Sequence, residues 1–169
     1  MGYATVLIMH GAPPQGFPRE EMLELFSLHA RMDSVIGPER AKLEKRYHEL
    51  EEKMCRWPRT RENDPFFAAS CDIAEALQKA LNCEVFIGFN EFCAPKITEA
   101  IDRAAAQKPD KIIVVTPMMT PGGEHSEKDI PAAISQARGR YPKIPMVYAW
   151  PYAPEEIAGF LSEHVRRFV

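Results

Sequence analysis

Nowhere in this 169-residue chain does an apolar run approach the ~20 residues that a bilayer-spanning helix needs. The segment Met1-Gly2-Tyr3-Ala4-Thr5 has no basic stretch of the kind that opens a secretion signal, and Val6 stands where a myristoylation site carries Ser or Thr. There is no basic excess either. The formal net charge is -3 and the pI ≈ 6.0, which argues against an extended nucleic-acid surface. Cysteine is sparse: Cys55, Cys71, Cys83 and Cys93 form no CxxC pair and read as reduced thiols of a cytoplasmic protein. No GxxxxGK[ST] or GxGxxG loop is present, so the common phosphate cradles are absent. No aspartate directly follows the first or third strand-like run, which argues against a phosphoacceptor receiver domain. No arginine precedes His10, as a histidine phosphatase would require. The chain has no internal repeat and no low-complexity tract.

What is there suits one α/β domain spanning 1–169, with a core large enough to need no staples. Hydrophobic residues make up 46% and charged residues 27%, as in an ordinary globular protein. Strand-like runs fall at 4–9, 84–89, 111–116 and 145–150. Between them the spacing predicts helices, each bounded by proline, glycine or a capping residue. Asp64 caps a helix that Pro65 starts, Pro95 opens the next, and Ser126 or Asp129 caps a third with Pro131 in its first turn. The last helix starts at Pro154, with an inner face of Ile157, Phe160, Leu161, His164 and Phe168. Strands at 5–9 and 112–115 are continuously apolar, the pattern of strands covered on both faces. The expected fold is therefore flavodoxin-like: a four-stranded parallel sheet in the order 2-1-3-4, with helices on both faces. A helical insertion of about 17–63 follows strand 1. Its first helix is predicted over 19–36. Its second carries the seam Leu43, Tyr47, Leu50, Met54 and Trp57, read either as packing on its own domain or as a dimer or lid helix.

Three chemistry-bearing residues lie beyond three of those strands: His10 in Met9-His10-Gly11, Glu91 in Phe89-Asn90-Glu91, and His125 in Pro121-Gly122-Gly123-Glu124-His125. Parallel strands would bring all three to one edge, where open α/β sheets bind ligands. Two imidazoles and a carboxylate suit a divalent transition metal. Each residue also has a plain reading. His10 could bond loop carbonyls, Glu91 could favour a helix dipole, and Glu124 could face solvent or support His125. Gly11 would allow close backbone approach to a ligand, and Gly122 with Gly123 would loosen the loop before His125. Met9, Phe89, Phe92, Met118 and Met119 could line the site or simply pack the core. His164 reads as a partly buried structural residue, and His29 and His48 as solvated.

The segments Val6–Gly11, Val85–Ile97 and Ile113–Pro131 resemble the small CbiX-type members of the sirohydrochlorin cobaltochelatase/ferrochelatase family, the class II chelatases. The third segment is the most specific: an apolar strand, a proline, a glycine-rich turn, His125, then Asp129-Ile130-Pro131. The resemblance implies a flavodoxin-like fold and a divalent metal on His10 and His125, with Glu91 assisting. It also implies insertion of that metal into a sirohydrochlorin-type tetrapyrrole. Cobalt or ferrous iron is expected as the substrate ion, and the same ligands admit nickel. No tightly bound cofactor is expected. Catalytic roles fall to His10, His125 and Glu91, and tetrapyrrole contacts to Gly11, Met118, Gly122 and Gly123. The partners implied are the tetrapyrrole and the metal, with a homodimer and without nucleic acid or membrane. A carboxylate-rich substrate would call for a basic rim, for which Arg19, Lys96 and Lys128 are candidates. Two departures stand out: Ala12-Pro13-Pro14 stands where the family usually has a serine after His-Gly, and the insertion at about 17–63 is not typical of the shortest members. The alternatives are a metal or tetrapyrrole carrier using the same cleft, and a scaffold whose inserted helices bind a protein partner.

Overall fold

The four apolar runs pair as parallel strands. In the computed structural model, which describes residues 2–32 and 34–169, the strands are β1 (Tyr3–Met9), β2 (Val85–Phe89), β3 (Lys111–Val115) and β4 (Met146–Tyr148). Their order is β2-β1-β3-β4, as expected. Leu7 pairs with Ile87 on one side and Val115 on the other, and Val114 pairs with Tyr148. All the carboxyl ends therefore open at one edge.

One face of the sheet is closed. Alternation sends Ala4, Val6 and Ile8 of β1 and Ile112 and Val114 of β3 to this side. There they meet α4 (Ile97–Ala106) and α5 (Ile130–Arg140). Ala100, Ala104, Ala133 and Ala137 let those helices lie close to the strands, and Val6, Ile8, Ile101 and Ile112 are fully buried. Each such aliphatic side chain contributes roughly 1.5–3 kcal/mol by burial.

The other face is half covered. Helix α3 (Pro65–Leu81) begins under its Asp64 cap, whose carboxylate accepts from the Phe67 N–H at 2.9 Å. It covers β2 and β1 through a cluster of Leu7, Met9, Ala74, Phe89 and Cys93. Over β3 and β4 the cover gives out: Ile113 and Val115 are only half-buried and Val147 is 46% exposed. The expected inner face of the last helix, α6 (Pro154–Val165), is not an inner face, since none of the helix's residues is buried. His164 is exposed rather than partly buried and stacks only on its own helix side, with Phe160 at 6.5 Å and Phe168 at 5.3 Å between ring centroids. The pattern marked the apolar side of α6 correctly, but the helix leaves β4 without turning back onto the sheet.

The insertion is a helical hairpin, α1 (Arg19–Met32) and α2 (Pro38–Cys55). The α2 seam packs on Phe17, Leu25 and Leu28, so it serves its own hairpin. Ion pairs cross between the helices, Arg46 to Glu24 at 2.7 Å and Lys53 to Glu21 at 2.6 Å. Helix α1 stops at Met32 rather than 36, because the Ser34 hydroxyl and N–H both donate to the Arg31 carbonyl. Pro95 does not open α4. Its carbonyl accepts from the Phe89 N–H at 2.8 Å, which keeps 95–96 extended and delays the helix to Ile97.

Candidate metal site

His10, Glu91 and His125 converge at the carboxyl edge. One ligand atom from each lies within 4.8 Å of the other two. Ligands about 2.1 Å from a shared ion stand roughly 3–3.5 Å apart, so a small inward movement completes a site. His10 Nδ1 is 3.1 Å from Glu91 Oε1, His125 Nε2 is 3.9 Å from the same oxygen, and the imidazoles meet edge to face with centroids 4.8 Å apart. His10 is the most open of the three, at 46% side-chain exposure against 29% and 27%.

Backbone bonds set the register of His10 against Glu91. The β1–β2 ladder continues past Met9: the Asn90 N–H donates to the Met9 and His10 carbonyls, and the Glu91 N–H donates to His10 at 3.0 Å. Gly11 sits against this join at φ 110°. A Cβ there would stand 1.9 Å from the Glu91 carbonyl oxygen. The close approach that Gly11 permits is thus to the neighbouring loop. Beyond Glu91 the chain turns sharply through Phe92 at φ 58°, a left-handed conformation rare for a bulky residue.

Arg59 holds that turn. Its guanidinium donates to the carbonyls of Ala12 at 2.7 Å, Met54 at 3.0 Å and Phe92, and to the Asp64 carboxylate. One cation therefore joins the loop after His10, the turn after Glu91, the end of α2 and the cap of α3. Its side chain is 5% exposed and that of Asp64 2%.

His125 is fixed from the other side. Residues His125–Asp129 form a π turn leading into α5, with the Ile130 N–H reaching back to the His125 carbonyl. Ser126 does not cap α5, and Asp129 stands at its N-cap position without a side-chain capping bond. The Ser126 hydroxyl donates to the Gly123 carbonyl at 3.1 Å, and Tyr148 of β4 donates to the Ser126 carbonyl at 3.1 Å. Asp129 instead holds the imidazole, 2.7 Å from His125 Nδ1. A carboxylate oxygen only accepts, so Nδ1 carries the proton and Nε2 presents its lone pair to the cluster. The Asn90 amide converges on the same corner, 2.6 Å from His125 Nδ1; in this tautomer its nitrogen donates to Asp129 Oδ2 at 3.2 Å and not to the ring. His10 follows the same logic: its Nδ1 lies 3.0 Å from the Gly11 carbonyl and beside Glu91, which leaves Nε2 as the lone-pair nitrogen.

The hairpin reaches this edge. Leu25, Tyr47, Met54, Glu91 and Phe92 are among the residues around a cavity of about 20 Å³ between hairpin and site. Burial pushes the Tyr47 phenol up to about 12, and the charges of Glu51 and Glu91 add to the shift. Tyr47 is therefore a neutral donor beside the carboxylate. Met9 and Phe89 are buried in the core, and Met118 packs on the α4–α5 cluster. Gly122, at φ 93°, and Gly123 are exposed in the turn before His125. Of the rim candidates, Lys96 is paired to Glu51 and Glu52 of α2, Lys128 is paired to Glu124, and Arg19 is exposed.

The sequence reading missed Asn90, Asp129, Arg59 and Tyr47. Asp129 has a signal, the four-residue step from His125, but a carboxylate at a helix start reads first as a cap. Arg59 lies in a polar stretch with no pattern to mark its burial.

The CbiX family model matches residues 62–167, more than half of the chain. The chain belongs to the CbiX family. The match begins after the helical hairpin, and within it fall Glu91 and His125 but not His10. A sirohydrochlorin cobaltochelatase of Priestia megaterium is 37% identical over 70 residues, which are 41% of this chain and 22% of that one. A protein of the same name from Sulfurisphaera tokodaii (strain DSM 16993 / JCM 10545 / NBRC 100140 / 7) is 38% identical over 79 residues, 46% of this chain and 62% of that one. The matches span less than two thirds of either relative's length. Among solved structures, a CbiX protein of Marinobacter aquaeolei VT8 aligns over 98% of both chains at 16% identity and a TM-score of 0.48. No described helix is long and apolar enough to cross a membrane.

Proposed function

We propose that this chain is a chelatase that inserts a divalent metal, cobalt or ferrous iron, into a sirohydrochlorin-type tetrapyrrole. The observation that carries the reading is the meeting of His10, Glu91 and His125 from the ends of three strands. Its other support is membership of the CbiX family and the name shared by the relatives above.

In this reading the ion arrives hydrated and exchanges waters for the imidazole lone pairs and the Glu91 carboxylate. The Asp129 bond keeps the His125 Nε2 lone pair pointed at the ion. As the ion passes to the macrocycle, two pyrrole N–H protons leave and one dication enters, so the ligand's charge is unchanged. The imidazoles freed by metal transfer accept those protons, and Glu91, partly exposed, passes them to solvent. Met118, Gly122 and Gly123 remain the proposed contacts of the macrocycle, while Gly11, buried against the Glu91 carbonyl, would act by holding the loop that carries Glu91. Lys96 and Lys128 would have to leave their present carboxylate partners to serve as its rim.

The same proposal takes the chain as a single chelatase-like domain with a helical insertion, acting in the cytoplasm as a homodimer. Four free cysteines support the compartment. The half-open sheet face supports association.

The test follows the absorption spectrum of sirohydrochlorin with Co2+ or Fe2+ over many equivalents. Repeated turnover is expected, together with at least a 100-fold loss in His125→Ala at unchanged circular dichroism. Conversion that stops near one equivalent would mark a carrier, and full activity in His125→Ala would reject the site.

A further inference from the structure

Asn90 reaches both histidines, by different means. Its N–H donates to the carbonyls of Met9 and His10, at 2.9 and 3.1 Å, and the following N–H, of Glu91, donates to the same His10 carbonyl. Its side chain turns the other way, to the corner of His125 and Asp129. The nitrogen end lies 3.2 Å from Asp129 Oδ2, and because a carboxylate only accepts, that contact fixes which end of the amide points there. The oxygen end, Oδ1, is buried and bonds no donor among the described residues.

The fold gains nothing from that oxygen. A buried acceptor without a donor is costly, and an apolar side chain of similar shape removes the cost. Stability alone would therefore favour leucine at position 90, so the use of the amide lies at its nitrogen end. There it meets a need that the sheet leaves open. The pairing of β1 with β3 ends at Leu7 and Val115. Among the described residues, no backbone bond joins 10–16 or 90–96 to 118–129. His125 thus stands on a turn that the backbone does not tie to the other two ligands. Asp129 holds the imidazole, but its own side chain is 46% exposed. Its Oδ2 accepts from His125 at 2.7 Å and from Asn90 at 3.2 Å, so the amide ties the carboxylate, and with it the ring, to the residue bonded to His10.

We propose that Asn90 is a positioning residue of the metal site: acting through Asp129, its amide holds His125 Nε2 at the spacing from His10 and Glu91 that a small divalent ion needs. This role rests on the metal-site reading above, and it belongs to a side chain that touches neither the ion nor the macrocycle.

The test titrates metal-free protein with Co2+ and reads affinity, the visible absorption of the bound ion and the thermal midpoint of the protein. Asn90→Leu keeps the volume and the backbone bonds and removes both polar ends. It should bind Co2+ about 10- to 100-fold more weakly, with shifted absorption bands, at an unchanged or higher midpoint. Asn90→Ala, which cannot crowd the site, should show the same loss of affinity. With Asp129→Ala already in place, adding Asn90→Leu should weaken binding by less than about twofold. Parent-like affinity in Asn90→Leu, unshifted absorption bands, or a full second loss on top of Asp129→Ala would each overturn the role. His125→Ala separates the two levels. If it abolishes Co2+ binding while Asn90→Leu binds like the parent, only the role of Asn90 fails; if it binds like the parent, the metal site fails with it.

Discussion

At the carboxyl edge of the sheet, three polar side chains sit on loops tied by backbone bonds, a buried ion pair and a glycine pressed on a carbonyl. Along the flank of the same strands, Tyr3 and Val147 lie half open, and α6 buries none of its own residues. One region is finished within a single chain and the other is not. The difference follows from what each must do. A metal site tolerates little displacement of its ligands, so its loops are braced from behind. An apolar flank needs only a complementary surface, and a second molecule can provide one.

The sharpest way to break the contrast is to remove the brace. Arg59→Met leaves the Asp64 carboxylate buried at 2% exposure and frees three carbonyls. Breaking a buried pair from one side costs about 3–5 kcal/mol. Urea unfolding of the variant should show a loss of that size, with metal affinity weakened as the Phe92 turn relaxes. A loss below 1 kcal/mol would mean that the edge holds its shape without Arg59.

A narrower change tests the edge alone. Gly11→Ala asks alanine to adopt φ 110° and places its methyl on the Glu91 carbonyl. Left-handed backbone costs a non-glycine residue roughly 1–2 kcal/mol before any clash. Relief by moving the 90–91 loop takes Glu91 away from both histidines. Binding of Co2+ measured by calorimetry should weaken about 10- to 100-fold, equivalent to about 1.4–2.8 kcal/mol. An unaltered affinity would take Glu91 out of the site.

The two regions were also unequally legible in the sequence. Strand order and the meeting of His10, Glu91 and His125 follow from apolar runs and right-handed crossovers, which local patterns encode. Gly11 was marked, but for a ligand rather than for the Glu91 carbonyl, because a sequence does not say which backbone lies nearby. Asp129 reads as a cap wherever an α-helical start is expected, and the π turn brings its carboxylate to His125 instead. Arg59 was invisible, since nothing in Pro58–Asn63 distinguishes a buried guanidinium from a solvated one. For α6 the pattern identified the apolar side, and periodicity carries no information about which molecule that side will meet.

The smallest effect is a chemical map of the same contrast. Burial pushes the Cys93 thiol, next to the Phe92 turn, up to about 12, and the Cys55 thiol at the end of α2 up to about 11. Thiolate is the reactive form, so at pH 8 a thiol near 12 offers about 1,000-fold less of it than an ordinary thiol near 9. Cys71 and Cys83 are less buried and sit on α3 and at the foot of β2, toward the flank. Iodoacetamide at pH 8, followed by mass spectrometry, should modify those two while Cys55 and Cys93 wait for denaturant. Because both shifts are upward, raising the pH from 7 to 9 should speed labelling of the slow pair about tenfold per unit without closing the gap. In Arg59→Met the Cys93 rate should rise toward that of Cys71, since the turn that shields it has lost its anchor. Equal rates for all four thiols in the unaltered protein would show that the edge opens as readily as the flank.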